Sequence, residues 1–406
     1  MKIGIVYYGV YPWNRGIDQL AGSLRYLGYE PIIVARLPES NERVKVFNNI
    51  PVIQVPPISR GWIQRLKVTP IPFNLFWRNW LVDLGRKFNW QGIIVRETPL
   101  SWPALSAARK LAIPAYLDMR ENLGAMYQAG QAKNWILSIL REPFLVRLYE
   151  QLTVKRFEHI FAVSEELKDW LTATYAVRRE KVSVLENTPH EQFLRATKKA
   201  LEDKCAFDGF IRFAYAGIIK ESKGVGDIIS SMPYVLPQFP QVRLRIIGDG
   251  PALQQMKTLV RDLHLKNEVE FLPMLSMRSL AKALTECDIG VESCWLNELT
   301  HQTLPGKLFE YMCAGLPVLS SSRKPVVRII EKTGCGLVYK SNKPKQIAVT
   351  IMKLLADRKK MEEMGRKGRK AILSRYNWKT NLDMLNHVFE KYSVYNMKEI
   401  IPLDNS

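Results

Sequence analysis

Twice along this chain, a short aliphatic run closes on a glycine, a helical pattern follows, and a second aliphatic run begins. Lys2–Tyr8 (KIGIVYY) ends at Gly9, Gly16–Leu27 has helical spacing, Gly28 breaks it, and Pro31–Ala35 is apolar again. Strand, helix, strand is a βαβ unit, whose strands are parallel because a helix carries the crossover. Gly92–Val95, Ala115–Leu117, His159–Val163 and Val182–Leu185 read as later strands. Ser101–Leu111 reads as helix, and Ser164 is placed to cap another that runs to Tyr175. After the polar stretch His190–Gly209 the alternation restarts at Ile211–Ala216. It continues through Arg243–Ile247, Val269–Leu272, Asp288–Val291, Pro317–Leu319 and Gly336–Val338. Each half therefore builds its own α/β layers, and the expectation is two Rossmann-like domains facing a cleft. The boundaries read as 1–190 for the first domain, 191–209 for a linker, 210–375 for the second domain and 376–406 for a final helix and tail.

Of 406 residues, 47% are hydrophobic and 24% charged, which supplies two cores and excludes disorder as the main state. Lysine and arginine number 59 against 39 acids, a net charge of +20. Such an excess favours anionic partners: nucleic acid, an anionic membrane face or a phosphorylated ligand. No nucleic-acid module is recognisable and the cations are spread over both halves, so no nucleic acid is expected. Cys205, Cys287, Cys294, Cys313 and Cys335 lack CxxC spacing and read as buried thiols in a reducing compartment. The five histidines have no paired-ligand spacing, so no metal site is expected. No apolar run reaches the roughly 18 residues of a membrane span. The N-terminus, interrupted by Gly9 and Pro12, lacks the form of a signal peptide. The expected location is cytoplasmic.

Three loops could carry chemistry. Gly217–Gly224 (GIIKESKG) follows the strand that opens the second half. Its free backbone N–H groups and Lys223 could hold phosphate oxygens, or it is a turn with a solvated lysine. Gly248-Asp249-Gly250-Pro251 follows the next strand, at the sheet edge where open α/β sheets bind ligands, and reads equally as an ordinary βα turn. The third begins at Gln302. There Pro305-Gly306 starts a helix whose N-terminal N–H groups and dipole suit a diphosphate. Glu310, on the same face as Lys307, could pair with that lysine or accept bonds from ribose hydroxyls.

Together these residues resemble the donor domain of the GT-B-fold glycosyltransferases of family 4. The family's phosphate loop is matched by Gly217 and by Lys223-Gly224, with Ile218 at its arginine position. Gly248–Pro251 matches its Gly-Asp-Gly-Pro turn. Its paired glutamates, eight positions apart, fall on Gln302 and Glu310. Ala162–Glu165 and Leu185–Asn187 resemble landmarks at the end of the acceptor domain. Asp118-Met119-Arg120-Glu121 resembles an acidic, arginine-containing turn that some members place on the cleft. The resemblance implies a retaining, metal-independent transfer from a nucleotide diphosphate sugar, a co-substrate rather than a cofactor, to a carbohydrate or lipid-linked acceptor. It further implies a C-terminal helix crossing back to the first domain. Gly217, Lys223, Gly248, Asp249, Gly306, Lys307 and Glu310 would bind the donor, and Gln302, Asp118 and Glu121 are the catalytic candidates. Other enzymes share the fold. A phosphorylase would need a cofactor lysine or an inorganic-phosphate site, and neither is evident; a nucleotide-sugar epimerase stays as an alternative.

A separate signal lies at Arg60–Trp90, where four of the chain's ten tryptophans stand among six cations and one acid, Asp83. Tryptophan favours the lipid headgroup level and cations favour anionic lipid. Trp62, Trp77, Arg78, Trp80 and Lys87 are therefore expected on a surface that docks peripherally on the inner, anionic membrane face. A core helix with a solvated basic side is the alternative.

Overall fold

The aliphatic runs become two mainly parallel sheets. The computed structural model describes residues 1–12, 15–37, 43–56, 69, 72–128, 142–203 and 208–398. By its internal contacts the chain forms two units, Met1–Glu186 with Asn381–Ser406, and Asn187–Thr380.

In the first unit β1 (Lys2–Val10) lies at the sheet's centre, between β2 (Glu30–Arg36) and β5 (Gly92–Arg96). Beyond β5 come β6 (Ala115–Met119), β7 (His159–Ala162) and β8 (Val182–Val184), each parallel to its neighbour. Ile3, Ile5 and Val6 are fully buried, as expected for a strand covered on both faces by helices. Those helices include α1 (Arg15–Tyr26), α2 (Leu75–Phe88), α3 (Ser101–Leu111), α4 (Leu123–Gln128), α5 (Pro143–Thr153) and α6 (Glu165–Tyr175). Ser164 caps α6 as expected, its Oγ accepting from Leu167 N at 3.0 Å. On the far edge, β3 (Val44–Phe47) and β4 (Ile50–Gln54) form an antiparallel hairpin absent from the sequence reading. Its turn is Asn48-Asn49, both left-handed, the backbone a two-residue hairpin turn of type I′ requires and asparagine tolerates.

The second unit contains β9 (Ile211–Ala216), β10 (Val242–Ile247), β11 (Val269–Leu272), β12 (Ile289–Glu292), β13 (Val318–Ser321) and β14 (Gly336–Tyr339). They lie in the order β11-β10-β9-β12-β13-β14, every pair parallel. The order reverses between β9 and β12, and that switch point is where an open α/β sheet leaves a crevice at its carboxyl edge. Within the segment read as a linker lies a helix, α7 (Glu191–Glu202). It buries Phe193 and Thr197 and packs beside α10 (Met277–Thr285). The remaining helices are α8 (Val225–Val235), α9 (Leu253–Asp262), α11 (Gly306–Cys313), α12 (Lys324–Thr333), α13 (Pro344–Leu355), α14 (Arg358–Ser374) and α15 (Trp378–Lys398). The last returns to the first unit as expected. There Phe389 packs against Tyr116 and Tyr29, with ring centroids 4.9 and 5.2 Å away.

Candidate active site

Two glycine loops meet at the carboxyl edge of the second sheet. Gly217 and Gly248 follow neighbouring strands and both have positive φ, 141° and 146°. The loops interlock through backbone: Gly217 N donates to Ile247 O at 2.9 Å, and Ile219 N to Asp249 O at 2.8 Å. A Cβ on Gly248 would stand 2.0 Å from Gly217 O. Asp249 is exposed, and its Oδ1 accepts from Gly250 N at 2.7 Å, so it shapes the turn. Across the switch point, Ser293 Oγ donates to Lys223 O at 2.7 Å and Trp295 N to Ser222 O at 2.9 Å. These bonds tie the Lys223 loop to the end of β12. Tyr311, on α11, joins the two strand ends. Its Oη accepts from Ala216 N at 2.9 Å and donates to Val291 O at 3.0 Å.

Next to these loops α11 starts at Gly306, with no side-chain cap on its N-terminal N–H groups. Lys307 lies 12% exposed, with Nζ 4.0 Å from the centroid of the Tyr215 ring and 3.9 Å from Glu292 Oε1. Burial lowers its pKa to about 8, against the pull of Glu292, and Arg323 and Lys223 press the same way. Glu292, from the neighbouring strand end, is thus a carboxylate that Lys307 engages. Glu292 is fully buried; Arg323 Nη2 lies 3.0 Å from its Oε1, and Ser320 Oγ donates to its Oε2 at 3.1 Å. Arg323 Nε donates to Cys294 Sγ at 2.7 Å. Glu310, one turn into α11, is half-buried, and Gln302 is buried.

In the first unit a charged network occupies the carboxyl ends of β5 and β6. Asp118 is fully buried, clamped by Arg96 and by Arg120, whose Nη1 also donates to Leu185 O at 2.7 Å. Burial alone would raise its carboxyl, but Arg120 and Arg96 hold it below the ordinary range. Asp118, a catalytic candidate by sequence, is thus enclosed, with one carboxylate oxygen on Arg96 and the other on Arg120. Glu121 is exposed. Between them stands Glu97, with φ 66° and ψ 162°, a backbone region that non-glycine residues occupy only at a cost of about 1–3 kcal/mol. Its carboxylate accepts from Arg120 N at 3.3 Å and Glu121 N at 3.4 Å.

The description "Glycosyl transferases group 1" matches residues 196–371, and "Glycosyl transferase 4-like domain" matches 14–188. The chain belongs to the group 1 glycosyltransferases. Spore coat protein SA of Bacillus subtilis (strain 168) is 24% identical over 279 residues, 63% of this chain and 72% of that one. A GDP-mannose-dependent phosphatidylinositol monomannoside mannosyltransferase of Mycobacterium tuberculosis is 22% identical over 160 residues, 39% of this chain and 42% of that one. Among solved structures, sucrose-phosphate synthase from Thermosynechococcus elongatus superposes with a TM-score of 0.75 at 14% identity, covering 97% of this chain and all of that one. HepE of Anabaena, in complex with UDP and glucose, superposes at 0.71 and 13% identity, covering 96% and 99%. These likenesses establish the GT-B fold for this glycosyltransferase.

Three polar residues at these sites were missed in the sequence. Glu292 ends an otherwise apolar strand, a placement that signals a buried carboxylate in need of a cation, whereas Arg323 carries no local mark of being that cation. Glu97 follows a buried strand directly and nothing in its neighbours announces its strained backbone. Burial pushes the Glu97 carboxyl up to about 8, opposed by Arg96 and reinforced by Glu121 and Asp118. From its ordinary value near 4.5 up to about 8, the native state therefore holds a proton that the unfolded chain releases, and stability falls as pH rises through that window. Glu97→Gln removes this penalty. Its melting temperature should exceed the parent's by a few degrees at pH 8.5 and match it near pH 4.5. A gain of equal size at both pH values in thermal scans would contradict the assignment.

The expected membrane helix is a different object from the one read in the sequence. Trp77 is fully buried and Trp90 nearly so, which removes Trp77 from any docking surface. Trp80 is half-buried, packed edge-on against Trp77 with centroids 5.3 Å apart. Arg78 is partly exposed and Lys87 exposed, a solvated side on a core helix. Trp62, like Cys205, lies outside the described residues. Among those described, no helix is long and apolar enough to cross a membrane, and no group of three or more His, Cys, Asp or Glu is gathered as a metal site.

Proposed function

We propose that this glycosyltransferase moves a sugar from a nucleotide diphosphate sugar to a lipid-linked carbohydrate acceptor at the inner membrane face, with retained configuration and without a metal ion. One observation carries the reading: Lys223, Lys307 and the start of α11 collect positive charge at the switch point of the second sheet. Glycosyl transfer passes through an oxocarbenium-like state, so the site must stabilise a departing diphosphate. Lys223 and the α11 amides would do so, and Lys307, whose pKa burial lowers to about 8 so that it stays mainly protonated at neutral pH, would be held more firmly in its charged form as phosphate approaches. Glu310 would accept from ribose hydroxyls. Gln302, which offers hydrogen bonds but no charge, would orient the transferred sugar. Support for the donor comes from HepE, solved with UDP and glucose, and for a lipid acceptor from the mannosyltransferase relative that acts on a phosphatidylinositol mannoside.

Purified protein should release nucleoside diphosphate from one member of a panel of nucleotide sugars. Charge-assisted bonds are worth roughly 1.5–3 kcal/mol, so Lys223→Ala and Glu310→Ala should each weaken donor use about tenfold or more. Unchanged kinetics in both folded variants would remove these residues from the donor site.

A further inference from the structure

α5 is apolar on the side that faces away from the core. Val146, Tyr149, Glu150 and Thr153 are buried beneath it. Phe144, Leu145, Leu148 and Leu152 stand on the opposite arc, 70%, 46%, 44% and 41% exposed. At 3.6 residues per turn these four share one stripe, so the exposure is a continuous strip and not scattered side chains. The strip extends onto the start of α2, where Phe73 and Leu75 are more than half exposed. Phe73 is held there in a left-handed backbone, φ 58°, with its ring edge-on to Tyr149 and Trp102 at 5.7 and 5.5 Å. Apolar strips of this kind on a surface mark contact with another phase or molecule.

Cations border the strip. Lys155 and Arg156 follow α5 directly, both exposed. With Arg109, Lys181 and Trp102 they line a groove of about 790 Å³ whose only acid among the described residues is Glu158. We propose that this α5 face and its basic groove dock the protein on an anionic membrane. The aliphatic stripe would enter the headgroup–acyl boundary and the groove would take lipid phosphate. Charge complementarity selects this occupant. A second copy docking face to face would bring Lys155, Arg156 and Arg109 against their own kind, and a neutral bilayer would leave the groove unmatched. The inference rests on the proposed lipid-linked acceptor, because a surface-bound substrate gives membrane docking a purpose, and it moves the docking surface from the core helix α2 to α5.

The test uses the full chain and phosphatidylcholine vesicles with and without phosphatidylglycerol. The parent should sediment with the anionic vesicles only. Leu145→Ser/Leu148→Ser/Leu152→Ser and Arg109→Gln/Lys155→Gln/Arg156→Gln should each lower vesicle affinity, the second by about a hundredfold. Release of nucleoside diphosphate from the donor sugar should be unchanged in both. The proposal is overturned if the parent stays in the supernatant, if either triple variant sediments like the parent, or if the leucine variant converts a dimeric parent to monomer in sedimentation equilibrium. Vesicle binding lost in the variants of a parent that releases no nucleoside diphosphate would sink the transfer reading and leave the docking face standing.

Discussion

Arg323→Ala should cost about 3–5 kcal/mol of unfolding free energy, the range expected when one member of a buried ion pair is removed and its partner stays. Glu292 is fully buried and Arg323 is 3.0 Å from it. Once the guanidinium is gone, the remaining cation is Lys307 at 3.9 Å, itself pushed toward its neutral form by burial. Cys294 Sγ would also lose the donor that reaches it at 2.7 Å. The double substitution Arg323→Met with Glu292→Gln removes both charges and should recover most of the loss, since replacing a buried pair by groups of similar volume is often near neutral. Urea titration followed by fluorescence checks both. Equal loss in the single and double variants would mean that packing, not an uncompensated charge, sets the cost.

Gly248→Ala is expected to destabilise as well and to act on the donor site directly. The added Cβ would lie 2.0 Å from Gly217 O, and φ at 146° is a conformation L residues rarely adopt. Backbone cannot rotate away as a side-chain tip can, so the two interlocked loops must separate, at a cost of about 2 kcal/mol or more. Because the Gly217–Gly224 loop carries Lys223, nucleotide affinity should fall with stability. Gly22→Ala supplies the control. It sits in α1 with nothing within 4 Å of the new methyl, and should be neutral or raise stability by about 0.5–1 kcal/mol. A Gly248→Ala protein with the parent's melting temperature and affinity would mean that the loop contact is not held in solution.

The strands were legible because parallel strands covered on both faces are continuous apolar runs, and Pro31–Ala35 and Gly92–Val95 lie buried throughout within β2 and β5. Glycines after strands likewise marked the loops, since an interlock as close as Gly248 on Gly217 admits no side chain. What stayed hidden depends on partners distant in sequence. Nothing around Trp77 distinguishes a tryptophan that packs into a core from one at a membrane surface. Both stand among cations, and the deciding fact is that α2 lies on α3 so closely that a Cβ on Gly85 would meet Leu111 at 2.3 Å. The outward apolar stripe of α5 was hidden for a similar reason, because Phe144, Leu148 and Leu152 have the spacing of any core-facing helix. Glu292 and Arg323 lie on neighbouring strand ends, and their pairing is a product of strand order. The hairpin β3–β4 was passed over although Val44–Phe47 and Asn48-Asn49 have the composition of strand and turn.

The most direct test of the central claim, a metal-independent retaining transfer built on lysines and helix amides, is turnover of the donor sugar in EDTA with the anomeric configuration of the product read by NMR. The account predicts that nucleoside diphosphate release continues in EDTA and that the product keeps the donor's configuration. Activity that vanishes in EDTA and returns with Mg²⁺ or Mn²⁺, or a product of inverted configuration, would contradict it.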